Sequence, residues 1–132
     1  MLFKPEFIPL LESGRKTQTR RLVKEGDDVI QHYVIQGVFR NGRLLWRLNN
    51  TYAVQPGRGK KAVGRVRVTL IRRRRFEQMT MHDAIAEGAD ASLDGHMCLV
   101  WARRTWNKTH KVYGTRAQDN PDVWVLTLEW VT

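Results

Sequence analysis

The order of apolar and polar positions divides this chain into stretches of two different periods. Phe7, Ile8, Leu10 and Leu11 recur at intervals of three and four, one face of a helix from about Pro5 to Ser13, with proline suited to a first helical position. Gly14 follows as a C′ residue free to take positive φ, so Arg15 to Arg21 leave the helix end in a new direction. Val29 to Phe39 and Leu44 to Leu48 carry β-branched and aromatic residues on either side of Asn41-Gly42, which predicts a hairpin with a type I′ turn. Between Ala62 and Ile71, Val66, Val68 and Leu70 alternate with Arg65, Arg67 and Thr69, the signature of a strand with one buried face and one wet, basic face. Thr80, with Asp83 three residues on, caps a short helix over Met81 to Glu87 that Gly88 ends. A second helix is expected from Leu99 to Trp106 or a little further. Trp124, Leu126, Leu128 and Trp130 then alternate with Val125, Thr127, Glu129 and Val131 in a closing strand entered from the turn at Asn120-Pro121-Asp122.

Several strands and few helices predict an α+β domain. A closing C-terminal strand satisfies edge hydrogen bonds if the sheet curls into a small mixed or antiparallel β-barrel, with two or three short helices at its flank. The 132 residues suit a single domain over 1–132, with no internal repeat and no low-complexity tract. Gln55 to Lys61 is a glycine-rich basic loop, too short for a domain linker.

Charge narrows the partners. Lysine and arginine number 23 against 13 acidic residues, a formal net charge of +10, so the surface attracts polyanions and nucleic acid is the leading partner class. Composition does not separate a bound polymer from a nucleoside substrate. Arg15, Arg20, Arg58, Lys60, Lys61, Arg72 and Arg73 are the candidate nucleic-acid contacts, although the run Arg72 to Arg75 reads equally as a solvated face. Cys98 is the only cysteine, which rules out an intrachain disulfide and fits a reducing cytoplasm. The apolar opening Met1-Leu2-Phe3 is broken at once by Lys4, Pro5 and Glu6, and no apolar run is long enough for a bilayer, so a cytoplasmic location and no membrane partner are expected. His32, His82, His96 and His110 lack ligand spacing, so neither a metal nor another cofactor is expected. Nothing points to an obligate protein partner, and the chain is expected as a monomer or small homo-oligomer.

The densest reactive cluster is Gly14-Arg15-Lys16-Thr17-Gln18-Thr19-Arg20-Arg21. A lysine serves as a general base only when burial or nearby cations lower its pKa, and three arginines stand close to Lys16. Thr19 is then a hydroxyl nucleophile within that base's range, provided a turn after Gly14 brings together two side chains that a regular strand would point apart. A plain basic surface loop is the other reading. Trp101, Trp106, Tyr113 and Trp124 are aromatic candidates for stacking on a pyrimidine, although the alternation around Trp124 and Trp130 already accounts for those two as core.

Gly14, Lys16, Thr19 and Arg21 match the glycine-x-lysine-x-x-(glutamate or threonine)-x-arginine motif of the ASCH domain family, which this chain resembles. The resemblance extends through the preceding helix, the segment Met79 to Gly88 ending Ala86-Glu87-Gly88, and Asn120 to Trp124 leading into the last strand. It implies a PUA-like β-barrel with the motif lining a cleft, and an association with RNA. One branch of that family removes the acetyl group from N4-acetylcytidine with a lysine, a threonine and a glutamate, which by position are Lys16, Thr19 and Glu87 here. On that reading Lys16 deprotonates Thr19, Thr19 attacks the acyl carbonyl, and Glu87 positions Lys16 or the hydrolytic water. Arg21 or a backbone N–H near Gly14 is the expected oxyanion donor, and Trp106 a wall for the base. Many family members carry glutamate where Thr19 stands, which could not act as that nucleophile. The chain is also longer than the compact amidohydrolases, chiefly around Gly42 to Lys61 and Ala102 to Asp119. The alternatives are a non-catalytic RNA-binding ASCH domain, with the cleft holding a base or phosphate, and a metal-independent ribonuclease.

Overall fold

The computed structural model describes residues 1–131. Seven strands carry the fold: β1 (Gln18–Leu22), β2 (Asp27–His32), β3 (Val34–Arg40), β4 (Arg43–Arg47), β5 (Thr51–Val54), β6 (Gly64–Arg75) and β7 (Asp122–Val131). Three α-helices flank them: α1 (Ile8–Glu12), α2 (Met81–Glu87) and α3 (Gly95–Thr109). All strand pairs are antiparallel and fall into two sheets, β1-β7-β6-β5 and β2-β3-β4. The α+β class and three flanking helices follow the sequence reading. The pairing runs as two separate sheets rather than one ring, and they meet where Asn49 N–H donates to the Val68 carbonyl at 2.7 Å and Val68 N–H donates to that of Asn50 at 3.0 Å.

The last strand is central. β7 lies between β1 and β6, and its alternating side chains supply two cores at once. Trp124, Leu126 and Leu128 join Phe3, Leu11, Val38, Val54, Val66, Val68 and Ile71 on one face. Val123 and Val125 pack on the other against Phe76, Trp106 and Ala117. A strand buried on both faces is apolar at successive positions, which is why Val123 to Leu126 is an unbroken buried run.

Three local departures from the periodic reading have identifiable causes. The stretch Val29 to Phe39 is two strands rather than one, because Tyr33 takes a left-handed φ of 64° and turns β2 back on β3. The expected turn at Asn41-Gly42 is present beyond it, with φ of 51° and 80°. In β6 the register with β7 shifts between Val68 and Leu70, so the inward series is Val66, Val68, Ile71, and Leu70 is turned out of the main core. The strand also continues through Arg72 to Arg75, each paired across to β7, with Arg73, Arg74 and Arg75 exposed to solvent. α3 begins four residues before the expected start, where the Asp94 carboxylate accepts from Met97 N–H at 2.8 Å.

Candidate active site

Two helix ends and one strand start build the site. Gly14 has the expected left-handed φ, 80°, and the chain doubles back so that Lys16 N–H donates to the Leu10 carbonyl at 2.9 Å. Thr17 is held on both sides: its N–H donates to the Ala86 carbonyl at 2.8 Å, and its carbonyl accepts from Leu128 N–H at 2.7 Å. This link between the end of α2 and the sheet forces the Lys16 side chain inward, where it is 3% exposed. Its ammonium has three donors and uses them on the Gln18 carbonyl at 2.7 Å, the Glu87 carbonyl at 2.7 Å and Glu87 Oε2 at 3.0 Å. The Phe7 ring lies 4.7 Å from Nζ. Burial pushes the Lys16 pKa down, the Glu87 carboxylate works against it, and Arg21 and Arg20 add to the lowering, so the amine is easier to deprotonate than an ordinary lysine.

The carboxylates come from one helix face. Thr80 and Asp83 form the expected capping box, and Asp83 and Glu87, four apart, both turn toward β1. Arg20 Nη1 donates to Glu87 Oε1 at 2.8 Å and to Gln18 Oε1 at 3.0 Å, and its Nη2 stands 3.7 Å from Asp83 Oδ2. Gln18 Nε2 closes the ring on Asp83 Oδ1 at 3.2 Å. Glu87 thus serves two buried cations through its two oxygens. Arg20, expected at the surface as a polyanion contact, is buried in this network, so its charge is spent on Glu87 and Asp83.

Thr19 and Arg21 share a face of β1 by the two-residue strand period. Arg21 Nη1 donates to the Thr19 hydroxyl, and its Nη2 donates to the Leu2 carbonyl at 2.9 Å, with the guanidinium over the Phe3 ring. The hydrogen bonds of Lys16 do not include Thr19. Both residues nevertheless open, with Glu87, Arg20 and Arg21, into a single cleft of about 410 Å³. The amine, the hydroxyl and the Glu87 carboxylate thus line one cleft, with the amine turned to Glu87 and the hydroxyl to Arg21.

Aromatic and apolar side chains wall that cleft. Phe7 and Trp101 meet edge to face at 6.2 Å, and Phe76, Met79 and Trp106 continue the wall. Trp106 is held by an Nε1–H bond to the Thr115 carbonyl at 2.8 Å, with His110 stacked parallel on it at 3.7 Å and Phe76 tilted against it at 5.2 Å. Sequence reasoning named Trp106 but missed His110, Phe76 and Met79 as lining. The four-residue spacing of Trp106 on α3 and His110 just past its end was the available signal. Gly14 lies outside the lining and acts through the turn. Arg15 is exposed, as are Arg58, Lys60 and Lys61 beyond the cleft edge at Pro56 and Gly57. Arg72 is half-buried, and Arg73 pairs with Asp122 at 2.8 Å while lying over Trp124. Trp124 itself is core, its Nε1–H donating to Asp27 Oδ2 at 2.9 Å. Among the described residues no three His, Cys, Asp or Glu side chains gather as a metal cage.

No protein-family model matches the chain, and no curated protein matches it. Solved structures do match. A protein from Enterococcus faecalis V583 of the family DUF984 superposes with a TM-score of 0.62 at 17% identity, over 92% of this chain and 64% of that one. The ASCH domain from Lactobacillus crispatus JV V101 superposes with a TM-score of 0.58 at 13% identity, over 92% of this chain and 68% of that one. The fold is of the ASCH type. A hypothetical protein of similar length superposes with a TM-score of 0.57 at 16% identity, over 99% of this chain and 96% of that one. This chain therefore spans about two thirds of the first two relatives and nearly all of the third. Within the ASCH fold the cleft lies where β1, the ends of α1 and α2, and one face of α3 converge. No helix of the described residues is long and apolar enough to cross a membrane.

Proposed function

We propose that this protein is an amidohydrolase that removes the acyl group from N4-acetylcytidine or a related N4-acylated cytidine nucleoside. The observation that carries the reading is the convergence of Lys16, Thr19 and Glu87 on one aromatic-walled cleft, with Glu87 Oε2 3.0 Å from Lys16 Nζ. A cleft of this size, walled by aromatic and apolar side chains with polar groups among them, suits a small planar ligand. In the first half-reaction the Lys16 amine takes the proton of the Thr19 hydroxyl, whose oxygen attacks the acyl carbonyl carbon. Rotation of the lysine side chain or a bridging water brings the amine into range. Arg21, already donating to the Thr19 oxygen, favours its anionic form and stands ready for the oxyanion of the tetrahedral intermediate. Collapse breaks the C–N4 bond, the Lys16 ammonium returns the proton to N4, and cytidine leaves. Water, deprotonated by Lys16, then hydrolyses the acyl–Thr19 ester and releases the carboxylic acid. Glu87 holds the amine in place and balances its charge in each protonated state.

Incubation of the protein with N4-acetylcytidine is expected to yield cytidine and acetate in equal amounts. Thr19→Ala is expected to abolish turnover while lowering stability by about 1–3 kcal/mol, the scale of one hydrogen bond to a charged group. Undiminished hydrolysis by that variant would remove Thr19 from the chemistry.

A second reading has its own support in charge. Arg58, Lys60 and Lys61 lie beyond one edge of the cleft, and Arg73, Arg74 and Arg75 stand exposed on β6, which suits a polyanionic RNA partner. Binding of RNA that weakens steeply with salt, without hydrolysis, would favour that reading.

A further inference from the structure

Trp106 was the natural stacking wall for a base, yet it is buried, with His110 stacked on one face and Phe76 tilted against it. The imidazole laid on the indole is half-buried and lines the cleft. Its Nδ1 lies 3.1 Å from the Trp106 carbonyl and 3.0 Å from the Thr109 hydroxyl. A carbonyl only accepts, so Nδ1 carries the hydrogen and donates it. The neutral ring consequently has a lone pair on Nε2, which has no hydrogen-bond partner among the described residues. His110 lines the same cleft as Thr19 and Arg21.

We infer that His110 is the base-recognition residue of this cleft: its outer face stacks on the pyrimidine, and Nε2 accepts a hydrogen bond from an N–H or O–H of the nucleoside. This rests on the nucleoside reading of the cleft and extends it to how the ligand is held. Trp106 is the support that sets the imidazole plane, and the carbonyl at the end of α3 fixes the tautomer.

The surroundings keep the ring neutral. Burial pushes the His110 pKa below the ordinary imidazole value; the Trp106 carbonyl works the other way, and Arg21 of β1, Lys24 just after it and Lys4 of the N-terminal segment all add to the lowering. Protonation would turn the accepting edge into a donor and add a fourth cation to this group, so ligand affinity falls as the pH drops through that titration.

The test separates binding from catalysis by using the Thr19→Ala protein, which retains the cleft, with N4-acetylcytidine and cytidine as calorimetric probes. His110→Phe keeps a ring on Trp106 but loses the acceptor, and is expected to weaken binding about three- to tenfold. It is also expected to abolish the loss of affinity at low pH. His110→Ala loses the stacking face as well and is expected to bind about tenfold or more weakly again. In the catalytically intact background the same two changes raise KM more than they lower kcat. If the protein binds cytidine with these losses but hydrolyses nothing, the recognition role stands and the amidohydrolase reading falls. If hydrolysis is found but both variants keep wild-type KM and pH dependence, the inference about His110 is overturned.

Discussion

Lys16 grips Glu87 twice, through the backbone carbonyl at 2.7 Å and the carboxylate Oε2 at 3.0 Å. The first contact places a cation at the C-terminal end of α2, where the helix dipole favours it, and the second compensates its buried charge. Because the other carboxylate oxygen serves Arg20, Glu87 compensates two cations that are both cut off from water.

That asymmetry sets an order of sensitivity. Glu87→Ala leaves Lys16 with backbone carbonyls alone and Arg20 with Gln18 and the more distant carboxylate of Asp83, and is expected to cost about 3–5 kcal/mol of stability in urea unfolding. Lys16→Met leaves Glu87 paired with Arg20 and is expected to cost clearly less while still abolishing turnover. Equal losses in the two variants would contradict the shared role of Glu87.

The pH profile of turnover follows from the buried amine. A lysine acts as base only when neutral, and the Lys16 pKa is lowered by burial against the pull of Glu87. The rate at limiting substrate is therefore expected to rise with pH and level off below the ordinary lysine range near 10.5. A rising limb that stays at the ordinary lysine value would show that another group supplies the base.

Acid stability has a separate origin at Asp27. Although burial alone would raise its pKa, hydrogen bonds from Arg40, Lys24 N–H and Trp124 hold it down to about 2. The folded pKa lies below the unfolded value of 3.8, so the stabilisation is full above about pH 5 and is lost as pH falls through 4 toward 2. It amounts to roughly 2 kcal/mol, and Asp27→Asn is expected to flatten this part of the stability curve measured by denaturant unfolding.

Gly64 has no room for a side chain. A Cβ there would overlap the indole of Trp130, a rigid ring packed beside the main core. Gly64→Ala is expected to cost about 1–3 kcal/mol in thermal unfolding, and Trp130→Leu in the same chain is expected to recover part of it.

How much of this could be read from the chain depends on what kind of interaction set each feature. Gly14, the Thr80-Asp83 cap, Gly88 and Asn41-Gly42 act within four residues, and each stands where local chemistry put it. The turn at Tyr33 was not legible because an exposed tyrosine in a left-handed conformation carries no glycine or asparagine signature. The β6 bulge was hidden because Leu70 and Ile71 are both apolar and either fits an inward position. β1 looked like a basic turn, and only its pairing with β7 makes it a strand. The link from Lys16 to Glu87 crosses 71 positions and entered through family resemblance rather than periodicity. Nothing local announced that Arg20 would turn inward, since the same charge that marks a surface residue also balances Asp83 and Glu87.

The middle place of β7 in its sheet imposes a timetable on synthesis. β1 and β6 bond to the final strand and not to each other, so the first of them, although made early, has no partner in that sheet until residues 122–131 leave the ribosome. A nascent chain carries its amine, hydroxyl and carboxylate unassembled until β7 has been made, and the ten residues of that strand complete the wall on which they meet.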